Sequence, residues 1–123
     1  MSNEVQDHEI PDHGPRITPT DVEAAILACY YFNGADAHSA HWPDKNAMDP
    51  EHPSLKLLTI CVLVLRNGFT VVGKSACASP ENFNAEIGCR IAREDAVRQV
   101  WPLLGYALRD RLSKAEGKGA KWP

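Results

Sequence analysis

Apolar side chains recur along this chain with two different periods, and the change of period divides it into elements. Val22, Ala25, Ile26 and Cys29 fall three or four residues apart, the spacing that gathers them on one face of a helix. Its start is written just upstream. Thr18 suits the N-cap, Pro19 the first helical position, and Asp21 completes a capping box with Asp in the usual Glu place. Ile17 and Val22 flank the cap as a hydrophobic staple. Tyr30, Tyr31 and Phe32 close the predicted helix, and Asn33-Gly34 stops it. From 33 to 54 the period vanishes among Pro43, Pro50 and Pro53, which predicts a long loop.

The period then changes to two. LKLLTICVLVLR, Asn67-Gly68 and FTVVGKSACA predict a β-hairpin with a two-residue type I′ turn. That turn sets Arg66 opposite Phe69, Val64 opposite Val71, Val62 opposite Gly73, Ile60 opposite Ser75 and Leu58 opposite Cys77. One face is then almost wholly apolar or small. The other, Leu57, Thr59, Cys61, Leu63 and Leu65 against Thr70, Val72, Lys74 and Ala76, is mixed but still greasy. Cys61 and Cys77 fall on opposite faces, which argues against a disulfide between them. Two helices cover only one face well, and a lone hairpin is marginal in water. A second subunit, by edge pairing or by packing of the mixed face, would resolve this; a third strand from the 33–54 loop is the alternative.

Helical spacing returns from Ser79 to Leu112. Ser79 is a plausible N-cap before Pro80, with Asn84 the alternative if residues 80–83 form a separate turn. Phe83, Ile87 and Ile91 open an apolar stripe, and Val97, Val100, Trp101, Leu104, Leu108 and Leu112 continue it on a shifted line. Pro102 removes a hydrogen bond to Arg98 and predicts a kink, with two segments hinged at Trp101-Pro102. Gly88 and Gly105 permit close approach of a neighbouring backbone. The resulting expectation is an α+β fold: N-terminal helix, long loop, β-hairpin, long C-terminal helix kinked near Pro102 (α-β-β-α). One domain, 17–114, lies between a flexible N-terminal arm (1–16) and a flexible C-terminal tail (115–123).

Charge changes the picture at one place. Residues 1–89 hold five Lys/Arg and twelve Asp/Glu, whereas residues 90–123 hold eight and four. The formal net charge of −3 argues against a general DNA-binding protein. A small phosphate-bearing ligand needs only a few arginines, and the long helix supplies Arg90, Arg93, Arg109 and Arg111. Arg90 with Glu94 one turn on also makes an intrahelical ion pair, the simpler reading. Phe83, Tyr106 or Trp101 could stack on a base.

Other chemistry is sparse. His8 and His13 sit in the arm. His38, His41 and His52 lie among Asp36, Asp44, Asp49 and Glu51, but at no zinc-ligand spacing, so no metal and no cofactor is expected. Cys29, Cys61, Cys77 and Cys89 form no CxxC pair and read as buried thiols. No nucleophile–base pair, Gly-rich phosphate loop or paired carboxylates suggest an enzyme; Cys77 and Lys74 fall on opposite hairpin faces. With no spanning apolar run and no signal-peptide pattern, the expected place is the cytoplasm, without membrane association.

Several stretches resemble a family of small tailed-phage and prophage proteins named for gene products forty-nine and sixty-six of two enterobacterial phages. They are ITPTDVEAAI, LLTICVLVLRNGFTVVG, KSACASPENF, AEIG, IARE and WPLLGYALRDRL, in that order. Lys74 departs from a commonly acidic position, Cys89 from a basic one and Asp95 from asparagine. The resemblance implies a phage accessory protein acting inside the bacterial host. In size and element order the chain is also similar to phage anti-defence proteins that sequester cyclic ADP-ribose-type immune signals. A non-enzymatic, homo-oligomeric binder of such a signal is the expectation, with Arg90, Arg93, Arg109, Arg111, Phe83 and Tyr106 as its contacts. The alternative is a module that binds a host or phage protein through the hairpin edge or the 33–54 loop.

Overall fold

A computed structural model describes residues 14–41 and 50–117. The remaining positions lie outside the described residues, and with them most of the proposed arm and tail, His8, His13, Pro43, Asp44 and Asp49. The elements run α1 (Pro19–Ala25), β1 (Ile26–Asn33), α2 (Gly34–His41), β2 (Leu58–Leu65), β3 (Thr70–Ala76) and α3 (Ala85–Ala115), with 3-10 turns at Pro53–Leu57 and Pro80–Asn82. The fold is α+β: a three-stranded antiparallel sheet in the order β1-β2-β3, with the long helix α3 packed on it.

The start of α1 is the capping box expected of it. The Thr18 amide donates to Asp21 at 2.9 Å and the Asp21 amide to the Thr18 hydroxyl at 3.2 Å. The helix then ends seven residues on, where a helix through Phe32 was expected. Ile26–Asn33 is instead the third strand, and it comes from this segment rather than from the 33–54 loop. Its Ile, Leu, Tyr, Tyr and Phe favour a strand once β2 offers a pairing edge, so tertiary pairing overrides a short helical period. A bulge between Ile26 and Ala28 brings Ile26, Cys29, Tyr31 and Asn33 onto one face. Part of the expected loop is also helical, as α2.

The hairpin register differs from the expectation by one residue. Leu65 and Phe69 flank a three-residue turn, the Leu65 amide donating to Phe69 and the Gly68 amide to Leu65, with Gly68 at φ +90°. A glycine there permits a turn followed by a bulge in place of type I′. Cys61 consequently faces Gly73 and Leu63 faces Val71. Cys61 and Cys77 thus have the same parity across the hairpin, not opposite faces; all four cysteines are free thiols.

The core lies between α3 and one sheet face: Cys61, Leu63, Leu65 and Val71 against Ala92, Ala96 and Val100, with Val22 closing the end. The inner stripe of α3 is therefore Gly88, Ala92, Ala96 and Val100; Ile87 and Ile91 are exposed. Small residues win here because the backbones nearly touch. A Cβ at Gly73 would stand 2.3 Å from both the Ala92 carbonyl oxygen and the Ala96 nitrogen. The helix is also continuous through Pro102 rather than split at Trp101-Pro102. Pro102 and Arg98 are both exposed, so water can reach the carbonyl that loses its donor. At 1.5 Å per residue, the 31 residues of α3 span about 46 Å, against about 26 Å for an eight-residue strand, so α3 overhangs the sheet.

Candidate functional site

A cleft of about 780 Å³ opens where β1 runs into α2. Its walls are Tyr31, Phe32 and Asn33 from β1, Ala35, Asp36 and Ser39 from α2, Lys56 and Leu57 before β2, and Phe83, Ala85 and Cys89 around the start of α3. Each wall has a local cause. The Asn33 side chain accepts from the Ala35 and Asp36 amides and donates to the Lys56 carbonyl at 3.0 Å, tying β1, α2 and the turn together. Residues 80–83 do form a separate turn, so Asn84 rather than Ser79 is the N-cap of α3, accepting from the Ile87 amide at 3.0 Å. That turn swings Phe83 to the cleft. Gly88 lets α3 settle on Thr59, whose hydroxyl oxygen would lie 2.7 Å from a Cβ there.

The cleft mixes aromatic and polar surface. Phe83 and Tyr31 are its aromatic residues on the α3 side, while Phe32, next to Tyr31 on β1, turns to the opposite sheet face. Lys56 and the positive N-terminal end of α3 favour an anion. Asp36 and Glu51 are of the opposite sign, but Glu51 is engaged by the Ser39 hydroxyl at 3.0 Å and by His38 at 3.6 Å. His52 accepts from the Ser54 amide, and no cluster of three metal-ligating residues occurs among the described residues.

Of the six residues the sequence offered as ligand contacts, Phe83 lines the cleft. Arg93 is about one-third exposed at the rim, where Glu23 holds it at 3.0 and 3.3 Å, with Cys29 a lesser influence on its charge. Hydrogen bonding to Glu23 raises its pKa further above the usual arginine value. Arg90 is exposed and forms no ion pair with Glu94 among the described residues. Arg109 pairs with Glu116 at 2.9 Å, Arg111 is exposed, and Tyr106 is 76% exposed. Arg90 and Arg109, nineteen residues apart on a continuous helix, are separated by about 28 Å along its axis. Sequence reasoning missed Lys56, Asp36 and the α3 N-terminus. The Asn84 cap was the signal that could have located the helix terminus; Lys56 and Asp36 carry none of their own.

Beneath the cleft lies a cluster of thiols. Cys29 and Cys61 approach to 3.5 Å. Burial and the hydrogen bond with Cys29 push the Cys61 thiol up to about 12. Hydrogen bonding with Cys29, then burial, pushes the Tyr31 hydroxyl up to about 12 as well.

The model of the "Phage protein (N4 Gp49/phage Sf6 gene 66)" family matches residues 17–112, which takes in every element from α1 to nearly the end of α3. The chain belongs to this family. No curated protein and no solved structure matches it. Membership makes it a phage protein, and the matched span includes both the cleft and the thiol cluster. No described helix is long and apolar enough to cross a membrane.

The second surface feature is the sheet's other face. Ala28, Tyr30 and Phe32, Leu58, Ile60, Val62 and Val64, and Thr70, Val72, Lys74 and Ala76 alternate with the core residues and point away from α3. Tyr30 is 53% exposed and Val72 52%. Lys74 is the one charge among them. The free edge of β3 is less open than its position suggests: α3 supplies Asp95 to the Lys74 amide at 2.9 Å and Gln99 to the Val72 carbonyl at 2.7 Å.

Proposed function

We propose that this phage protein is a non-enzymatic accessory factor that binds and sequesters a small nucleotide-derived signal of the cyclic ADP-ribose type, countering host defence in the bacterial cytoplasm. The observation that carries the reading is the cleft: nucleotide-sized, with Phe83 and Tyr31 on its walls and Lys56 and the α3 N-terminus beside Asp36 and Glu51. Phe83 stacks on the base and the helix terminus receives a phosphate. The arginines at 109 and 111 reach such a ligand from a second copy, seated by the bare sheet face rather than by the β3 edge. Calorimetry with cyclic ADP-ribose isomers and cyclic dinucleotides tests it. Binding is expected with at least one of them, and Phe83→Ala weakens it about ten-fold, since a stacked base is worth about 1–3 kcal/mol. No heat with any of them sinks the reading.

One observation favours a second reading, a module that binds a host or phage protein. The outer sheet face carries aromatic and β-branched residues with one charge, the surface type on which proteins dock. A stoichiometric protein partner in pull-downs from infected cells, lost on Tyr30→Lys, with no small ligand bound, selects it over the first.

A further inference from the structure

We infer that Cys29 and Cys61 form an oxidisable thiol pair beneath the cleft, closed to a disulfide by a peroxide. The two residues are diagonal neighbours on the inner face, because Cys29 pairs with Leu63 and Cys61 with Tyr31. Diagonal side chains in a sheet need not meet, yet these sulfurs are 3.5 Å apart. Closing the bond requires them to approach to about 2.05 Å. Their surroundings differ in a way that assigns each a role. Cys29 is half-buried and Cys61 fully buried, so a small oxidant reaches Cys29 first.

The chemistry balances with peroxide as the only co-reactant. Hydrogen peroxide transfers one oxygen to the Cys29 sulfur, giving the sulfenic acid and one water. The Cys61 sulfur then attacks the Cys29 sulfur, and the hydroxyl leaves with the Cys61 proton as a second water. Two thiols lose two electrons and the peroxide gains them. Capture by Cys61 protects Cys29 from further oxidation to the sulfinic acid.

The pair is wired to the cleft from both sides. Tyr31 lines the cleft, shares the inner face of β1 with Cys29 and pairs across the strands with Cys61; Cys89 lines it from α3. Closing the bond removes the two thiols that neighbour Tyr31 on the inner face, so oxidation is reported at the cleft wall whatever ligand the cleft holds.

The test is mass spectrometry of the folded full chain after mild hydrogen peroxide treatment, with non-reducing peptide mapping. Expected is a mass lower by two hydrogens, a single Cys29–Cys61 linkage and full reversal by dithiothreitol. Cys29→Ala and Cys61→Ala each abolish the linkage, while Cys77→Ala leaves it; two variants of the pair guard against one that fails to fold. In the oxidised protein the Tyr31 hydroxyl ionises at lower pH in an absorbance titration. Four intact thiols, a linkage to Cys89, a bond between two chains, or sulfinic acid at Cys29 would each overturn the inference.

Discussion

Along β2, odd and even positions meet different surroundings. Thr59, Cys61, Leu63 and Leu65 are buried beneath α3, while Leu58, Ile60, Val62 and Val64 are partly open, beside Tyr30 and Val72 that are about half exposed. Both rows are rich in apolar side chains, so hydrophobicity does not choose between them. Proximity does. Gly73, Ala92 and Ala96 let α3 approach the inner face backbone to backbone. The outer face has no such recess and is filled with rings and branched side chains.

The largest effect should come from filling that recess. Gly73→Val drives a branched side chain into helix backbone that has no flexible end to yield, and should cost about 3 kcal/mol or more in urea unfolding, at the upper end of overpacking. Its neighbour Val72 points the other way, and Val72→Ser should change stability by about 0.5 kcal/mol or less. Equal effects at the two positions would break the comparison.

Next in size is a change in assembly. If a second copy covers the outer face, sedimentation of the native chain gives a multiple of 13.6 kDa, and Tyr30→Lys with Val72→Lys returns it to that mass. A native chain already at 13.6 kDa would leave the outer face bare in solution and remove the second-copy part of the proposed function.

How much of this was legible depends on what each signal encodes. The Thr18 capping box, the alternation in β2 and the long period of α3 are local patterns, and each corresponds to an element. The strand β1 was hidden because Val22, Ala25, Ile26 and Cys29 satisfy a helical period by themselves, whereas the strand partners of Ile26 and Cys29 lie more than thirty residues away. The inner stripe of α3 was hidden for a related reason. Ile87 and Ile91 look buried on any hydrophobicity scale, and only the recess at Gly73 shows that Ala92 and Ala96 take their place. Phe83 in the cleft was within reach because Asn84 is a cap residue with a separate turn before it; Lys56 and Asp36 were not, since nothing in their own sequence neighbourhood brings them together.

A third, smaller effect sharpens the inner side. Cys61 holds its proton to about pH 12 in the folded chain against 9.0 for an ordinary thiol, and Tyr31 to about 12 against 10.0. Between those limits the unfolded chain releases protons that the folded chain keeps. Stability is therefore full below pH 9 and falls as pH rises towards 12. Denaturation midpoints across that window should decline less steeply in Cys61→Ala than in the native chain, whatever the offset caused by the lost sulfur. A slope unchanged by the substitution would mean that the Cys61 thiol is not held in its neutral form.

The smallest effect lies at the rim, where α1 meets α3. Glu23 and Arg93 form a two-pronged ion pair, yet Glu23 is 58% exposed and Arg93 34%, and screening by water keeps such pairs to about 0.2–1 kcal/mol. A double-mutant cycle with Glu23→Ala and Arg93→Ala should return a coupling in that range, shrinking as salt is raised. The Gly73→Val penalty should not respond to salt, because it arises from overlapping atoms rather than from charge. A coupling that stays above about 2 kcal/mol in high salt would mean that Arg93 acts as a buried group through Cys29. The boundary of the inner face would then extend past α3's small-residue stripe to include Arg93 and the thiols beneath the cleft.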